Sequence, residues 1–406
     1  MTDVLDVLVV GGGPVGACVG ALLARGGARA TLRVGLLQAA EAPADGRVIA
    51  LSRASEKILI AARAWSHIEG AAWPYEQMRV WHRGVAPTSP EALHFDAAQV
   101  GEPNLGYIIE TQRVTTALMG SFAAAGGQII AGALQSASTA RDGLLTVRTS
   151  AGELAAQLII GADGARSGVR KAFGIEARTA SYEQTAIVAQ LTPARPHQNT
   201  AWQRFVEGGT LALLPLADGS VSLVWSLPAG QARSLLEADA RDFEARLLEQ
   251  SDAVLGSLTL AGQRMAFPLQ RLSADRYIAE RCALVGDAAH VVHPLAGQGV
   301  NLGMLDAAAL AQLCLAALAS GEQLGAQRTL REYERWRKGE NQLMEFAIDA
   351  FNRVLAQGVG PVSALARRAL GVTNRSALLK RFFIGHALGQ APELTAWESD
   401  RASLRR

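Results

Sequence analysis

One stretch constrains the fold more than any other: a β-branched run that ends in a glycine triplet and passes at once into an apolar helix. DVLVV, Asp6 to Val10, is followed by Gly11-Gly12-Gly13-Pro14-Val15-Gly16 and then by the Ala/Leu-rich segment Ala17 to Arg25. Such a run suits a buried parallel strand. The strand–turn–helix context lifts G-x-G-x-x-G from a common glycine turn to a dinucleotide fingerprint. Gly11 permits the tight turn, Gly13 lets a pyrophosphate approach the backbone, and Gly16 lets helix and strand pack closely. The N–H groups of the helix N-terminus then face the phosphates. One element departs from the pattern. An acidic residue should close the second strand, about 20 residues on, and hold a ribose hydroxyl. Here the second strand reads as Leu32 to Leu37 and ends at Gln38, with Glu41 three residues further on. Gln38 keeps the capacity to hydrogen-bond and loses the charge assistance.

Composition narrows the classes. With 406 residues, 49% hydrophobic and 19% charged, the chain has material for roughly two to three globular domains. Lys+Arg 39 against Asp+Glu 37 gives a net charge of +2, no electrostatic footprint for nucleic acid. Cys18, Cys282 and Cys314 lie far apart, without zinc or disulfide spacing, as in a reducing cytoplasm. The nearly uncharged segment Val7 to Ala24 imitates a signal peptide, but its flank MTDVLD is acidic and its glycine triplet would break a spanning helix. No other uninterrupted apolar run has membrane length, so a cytoplasmic protein is expected, with a peripheral membrane contact left open.

Two later segments repeat a strand-end Asp. LLTVRTSAGELAAQL, Leu144 to Leu158, reads as a hairpin around Ala151-Gly152 and leads into LIIGADGARSGVR. Asp163 then sits at the C-terminal edge of a strand, where ligands of doubly wound sheets bind. Arg166 and Arg170 follow on what reads, taken alone, as a solvated helix. Cys282 to Val285 is a second short strand carrying Gly286-Asp287 at its end. After the loop His293-Pro294-Leu295-Ala296-Gly297-Gln298-Gly299, an Ala/Leu-rich helix is expected from near Asn301 past Leu318. Its N-terminus offers N–H donors and a positive dipole end to an electron-rich ring edge.

These three motifs, in this order, resemble the flavin-dependent aromatic hydroxylase superfamily with the fold of para-hydroxybenzoate hydroxylase. The run His293 to Gly303, followed by Asp306, is similar to the signature of the ubiquinone-biosynthesis monooxygenases. The likeness extends over nearly the whole chain, including Arg47 in DGRVIALSRAS and the C-terminal LLKRFFIGHALG. It implies an α/β protein: a Rossmann-like FAD-binding domain (1–75, 100–180 and 270–345), a mostly antiparallel β-sheet substrate domain (76–99 and 181–269) and a helical C-terminal segment (346–406). It further implies that Gly11, Gly13, Pro14, Val15 and Gly16 bind the FAD pyrophosphate, with Gln38 and Arg47 also at the cofactor. Gly286 and Asp287 would hold the ribityl chain. Pro294 would shape the loop beside the flavin, and Gly297, Gln298, Gly299, Val300 and Asn301 would line the isoalloxazine. Asp163 and Gly164 belong to a motif tied to FAD and to transient NAD(P)H contact. The family's polar residue entering the helix after the third strand aligns with Thr111, beside Gln112, and the choice between them stays open.

The chemistry implied is the cofactor's: NAD(P)H reduces FAD, O2 adds to give a flavin C4a-hydroperoxide, and its distal hydroxyl passes to an electron-rich ring. No acid–base, nucleophile or metal constellation stands out; the i, i+3 pair His290 and His293 reads as structural, and no catalytic side chain is assigned. The signature points to a polyprenylated phenol or quinol of the ubiquinone pathway, with other enzymes of that pathway as candidate partners. Two rivals are weighed. A hydroxylase of soluble aromatic acids would need a charged anchor, for which Arg204 and Arg264 are candidates; a non-catalytic flavin- or lipid-binding subunit rests only on Gln38 and Thr111. The basic and apolar tail segment Ala377 to Leu388 reads equally as an interfacial helix or as one docked on the FAD domain.

Overall fold

The computed structural model describes residues 4–26, 32–39, 46–139, 143–294 and 297–355. Glu41 and the tail segment 377–388 lie outside them, as do Pro361 and Gly371, which read in the sequence as breaks in the helical tail.

The strand Val4–Val10 forms the middle of an eight-stranded sheet. It pairs in parallel with Gly152–Gly161 on one side and Val34–Gln38 on the other. Gln128–Ala131 extends the sheet beyond Val34–Gln38, and Cys282–Leu284 extends it beyond Gly152–Gly161. Strand order therefore reverses at Val4–Val10, and a doubly wound sheet opens its crevice at the C-terminal ends of such a pair. The expected hairpin is present, Leu145–Thr149 folding antiparallel onto Gly152–Gly161. Both faces are covered, which is why these strands carry unbroken runs such as Val7 to Val10 and Leu158 to Ile160, all 0–5% exposed. Helix Pro14–Arg25 packs between the helices Thr111–Ala124 and Gln298–Ala319.

A second, nine-stranded sheet, hereafter the roof sheet, is antiparallel except where Thr200–Val206 runs parallel to Gln77–His82. The runs AIVAQL, AWQRFVE, TLALLPL, SVSLVWSL and QRMAFPL, which read as strands in the sequence, correspond in it to Ala177–Pro193, Thr200–Val206, Gly209–Pro215, Val221–Pro228 and Met265–Ala274. The first and last run without a break through 180/181 and 269/270, where the sequence reading divides the units. Alternation assigns the two faces. Ile187, Ala189, Leu191, Leu211, Leu213, Leu223 and Trp225 bury one face beneath the helices Ala229–Glu237 and Ala240–Gln250. The intervening residues point the other way. Phe267 stands opposite Ala186 on that helix-free face, and the Arg47 guanidinium lies 5.1 Å from the Phe267 ring centroid. The helix-free face therefore looks toward the Arg47 stretch.

Three sequence expectations are corrected. Helix Gln298–Ala319 starts at Gln298 rather than near Asn301, because Gly297 takes a left-handed φ of 65° and opens the helix as its N-cap. This 22-residue helix is also long and apolar enough to cross a bilayer, which was expected of no segment beyond the N-terminal one. Here its apolar residues, Met304, Leu310 and Cys314 among them, are buried in the core of the first sheet. Arg170 is the third correction. It is buried, not solvated, and donates to the Ala288 and Ala165 carbonyls at 2.8 and 2.7 Å. Arg166 precedes the short helix Gly168–Ala172 and shares no helical face with it.

Candidate cofactor and substrate site

The three sequence motifs meet at the C-terminal ends of Val4–Val10, Gly152–Gly161 and Cys282–Leu284, and small residues are what let them meet. A Cβ on Gly11, whose φ is 115°, would lie 2.3 Å from the Ala162 carbonyl oxygen, so the glycine loop touches the backbone leading to Asp163. A Cβ on Gly16 would lie 1.9 Å from the Gly11 oxygen. Val15 is a packing residue: its side chain fills the gap between Gly286 and Gly303, where added methyls would approach to 3.2 and 2.6 Å. Gly297 closes onto Ala50 in the same way.

Asn301 fastens the Arg47 stretch to this assembly. Its Oδ1 accepts from the Ser52 N–H at 2.9 Å and the Ser55 hydroxyl at 2.6 Å, and its Nδ2 donates to the Ala50 and Gly297 carbonyls. The amide is fully occupied, so it holds the wall rather than reaching into the crevice. Asp163 is likewise engaged. One oxygen accepts the N–H groups of Gly168 and Val169, while the other is buried without a partner. At Thr111 the hydroxyl donates to the Arg47 carbonyl at 3.1 Å, whereas the neighbouring Gln112 is exposed.

Several features suit a dinucleotide. Gly13 has φ −72° and ψ 178°, which any residue adopts, and a Cβ there would meet nothing within 4 Å. The protein itself does not require glycine at this point, and the space beside it stays open. Helix Pro14–Arg25 begins without a side-chain cap or an acidic residue in its first turn, so its positive end is left for an anion. The Gln38 side chain lies across Gly12, where a methyl would stand 2.5 Å from its amide. Asp287 is exposed although its neighbours Gly286 and Ala288 are buried. The surrounding protein pushes its pKa upward, eased by His290 and Arg47. These residues fit FAD.

Behind Asp287 lies a buried network that sequence reading did not find. Asp306 is wholly enclosed and accepts four hydrogen bonds: Gly286 N (3.1 Å), His290 Nε2 (2.6 Å), Arg337 Nε (2.9 Å) and Asn341 Nδ2 (3.0 Å). Burial alone would raise its pKa, but the His290 and Arg337 side chains and their hydrogen bonds hold the carboxyl well below the usual range. Asp306 closes the signature motif; Arg337 and Asn341, on the helix Gln327–Leu355, carry no motif of their own.

His293 is also structural. Gln184 Nε2 donates to the Gly208 carbonyl, which leaves Gln184 Oε1 to accept from His293 Nε2 at 3.0 Å. Burial pushes the ring pKa down to about 4, so it stays neutral where an unfolded histidine, near 6.5, would be charged. The unfolded chain then binds the extra proton, and stability falls as pH drops from about 6.5 to about 4. Thermal melts of His293→Gln across that window should be flatter than those of the parent. An equal slope in both would assign the effect elsewhere.

On the helix-free face of the roof sheet stand Ala186, Val188, Gln203, Phe205, Ala212, Ser222, Val224 and Ser226, none of them charged. Arg204 and Arg264, the sequence candidates for a substrate anchor, are on the opposite face. Arg204 is tied to Asp252 at 2.9 Å and to the Gln250 carbonyl, and Arg264 donates to the Leu235 and Ala238 carbonyls at 2.7 Å each. Neither reaches the crevice side.

Comparison with known proteins agrees with this geometry. Residues 4–346 match a family model described as an FAD binding domain. Ubiquinone hydroxylase UbiL of Rhodospirillum rubrum is 35% identical over 95% of this chain and 90% of its own. The 3-demethoxyubiquinol 3-hydroxylase of Escherichia coli is 32% identical over 95% of this chain and 98% of its own. Among solved structures, Pseudomonas aeruginosa PqsL in complex with 2-aminobenzoylacetate superposes with a TM-score of 0.77 at 23% identity, covering 92% of this chain and 100% of that one. p-Nitrophenol 4-monooxygenase PnpA of Pseudomonas putida gives 0.76 at 18% identity, over 96% of this chain and 100% of that one; both likenesses concern the fold. With the fingerprint, the switch-point crevice and the signature helix in their places, the chain belongs to the FAD-binding-domain family that contains these ubiquinone-pathway hydroxylases.

Proposed function

We propose that the protein is an FAD-dependent monooxygenase that hydroxylates the ring of a polyprenylated phenol or quinol in ubiquinone biosynthesis, with NAD(P)H and O2 as co-substrates. The observation that carries the substrate class is the central stretch of the helix-free face, where Ala186, Val188, Gln203, Phe205, Ala212 and Val224 bring no charge and Arg271, further along the same face, is taken up by Glu345 and Asp349. Burying a carboxylate against such a wall without a partner is costly, so the wall disfavours aromatic acids and suits a neutral ring with an apolar chain. The names of the relatives support the pathway.

Bound FAD, reduced by NAD(P)H, supplies the activated oxygen. The chain's own residues bind, orient and enclose. Gly11, Gly13, Pro14, Val15 and Gly16 form the pyrophosphate turn, of which Gly13 lends open space and the helix its N–H groups. Gln38 meets the adenosine ribose, and Gln112, with its free amide, serves better than Thr111. Arg47, Gly164, Gly286 and Asp287 border the flavin side, Asp287 toward the ribityl hydroxyls. Pro294, Gly297, Gln298, Gly299 and Val300 face the isoalloxazine, while Asp163 and Asn301 hold the backbone that frames it. The roof sheet excludes water, so that the activated oxygen reaches the ring rather than solvent. A substrate of this kind resides in a bilayer, so a peripheral membrane contact and association with neighbouring enzymes of the pathway belong to the same proposal.

Mass spectrometry of quinone lipids in a strain lacking the gene tests it. A prenylated precursor missing one ring oxygen should accumulate, and its structure names the position. An unchanged lipid profile, together with failure of the FAD-loaded protein to hydroxylate a prenylated phenol, would overturn the reading.

A further inference from the structure

Helix Gln327–Leu355 carries Arg337, Asn341, Glu345 and Asp349 at every fourth position. A spacing of four keeps them in one row along the axis. Arg337 and Asn341 are 0% and 1% exposed and Asp349 is 8% exposed, so the row faces the protein. Its two halves grip different bodies. Arg337 and Asn341 hold Asp306, and through it the Gly286 N–H beside Asp287. Eight residues on, Asp349 accepts from Arg271 at 2.8 Å and from the Tyr182 hydroxyl at 2.6 Å, while Glu345 pairs with Arg271 at 3.2 Å. Arg271 and Tyr182 belong to the roof sheet. The Tyr182 ring meets His293 edge-on, centroids 5.0 Å apart, so the second half of the row also reaches the loop that continues into Pro294.

Burying the helix does not call for this row. Leu330, Tyr333 and Ile348 supply apolar contacts, and buried ion pairs lose to desolvation much of what attraction returns. What such pairs do supply is register, since each fixes one atom against another. We propose that Arg337, Asn341, Glu345 and Asp349 are positioning residues that set the separation between the Asp287 turn and the substrate-facing sheet. The helix is a ruler between the cofactor half and the substrate half of the site. This inference rests on the crevice holding flavin and ring as described above. Displacements near 1 Å in such a site cost on the order of 100-fold in rate.

Two small substitutions on the full-length FAD-loaded protein test it. Tyr182→Phe removes one hydroxyl, and Asp349→Asn keeps the shape while removing the charge. Both leave the Asp306 connections in place, so FAD affinity should stay within about twofold of the parent. Iodide quenching of flavin fluorescence should rise about threefold or more as the roof loosens. With a prenylated phenol, hydroxylated product per NAD(P)H should fall by about tenfold and hydrogen peroxide should take its place. Arg331→Ala, on the exposed side of the same helix, should change none of these. Unchanged quenching with FAD affinity intact overturns the proposal; so does loss of FAD in parallel with product, which would mean that the helix only stabilises the fold. If quenching rises but the parent enzyme itself makes no product from the phenol, the substrate reading fails and the positioning role stands.

Discussion

Gly13→Ala should yield a folded protein that has lost most of its FAD, whereas Gly16→Ala should yield little folded protein. The contrast comes from what each added methyl meets. At Gly13 it meets nothing within 4 Å, and the backbone there is extended, with φ −72°. Alanine is a poorer N-cap than glycine, so the apo protein should lose about 1 kcal/mol and no more. The space the methyl enters is the space a pyrophosphate needs to reach the N–H groups of helix Pro14–Arg25. FAD affinity should fall by roughly 10- to 100-fold, equivalent to about 1.4 to 2.7 kcal/mol. At Gly16 the methyl would stand 1.9 Å from the Gly11 oxygen, backbone against backbone. Overpacking of that kind costs on the order of 3 kcal/mol with or without flavin. Apo-protein melts and FAD titrations, run on both variants, separate the effects. Parental FAD affinity in Gly13→Ala would show that the pyrophosphate lies elsewhere.

The contrast also marks where sequence reading stops. Glycine spacing after a β-run specifies the strand, the turn and the helix, because those are local and periodic. The fingerprint also separates Gly13, for the ligand, from Gly16, for packing, but it does not show that Gly16 closes on the Gly11 oxygen while Gly13 faces open space. The roof-sheet strands are legible through alternation, yet which face looks at the crevice depends on pairings such as Ala186 with Phe267, 81 residues apart in sequence. For that reason Arg204 and Arg264 pass as substrate anchors in the sequence and prove to be tied beneath the outer helices. Arg170 reads as solvated because its acceptor, the Ala288 carbonyl, is 118 residues away. Thr111 and Gln112 cannot be ranked until Arg47 is seen to take the threonine hydroxyl. A polar residue at every fourth place on Gln327–Leu355 was the one available sign of the row at Arg337, and it resembles an ordinary solvated stripe until burial is known.

Asp306→Ala should be the most damaging single change outside the glycine loop. The carboxylate is fully enclosed, and its removal strands Arg337 in the interior with one fewer anionic partner while leaving the Gly286 N–H and His290 Nε2 without an acceptor. Breaking a buried ion pair from one side costs about 3 to 5 kcal/mol, because the remaining charge is still desolvated. Asp306→Asn should fall between, since the remaining amide oxygen still accepts from two donors while its NH2 group opposes the other two. The acid dependence carries the sign. Asp306 titrates lower in the fold than in the unfolded chain, near 3.9, so its contribution is complete above about pH 4 and drains away as pH falls further. Asp287 works in the opposite sense: its raised pKa favours the protonated fold, and that contribution is lost as pH rises from about 4. Melting the apo forms of the parent and Asp306→Asn between pH 3 and pH 7 separates the two. The parent should lose stability steeply at the acid end, and the variant, lower throughout, should lose less. An Asp306→Asn protein that keeps both the parental stability and the steep acid limb would leave the buried network without its assigned role. FAD affinity in that variant should also fall, because Gly286 and Asp287 are no longer held from behind. Turn and network would thus fail together, whereas Gly13→Ala spares the network.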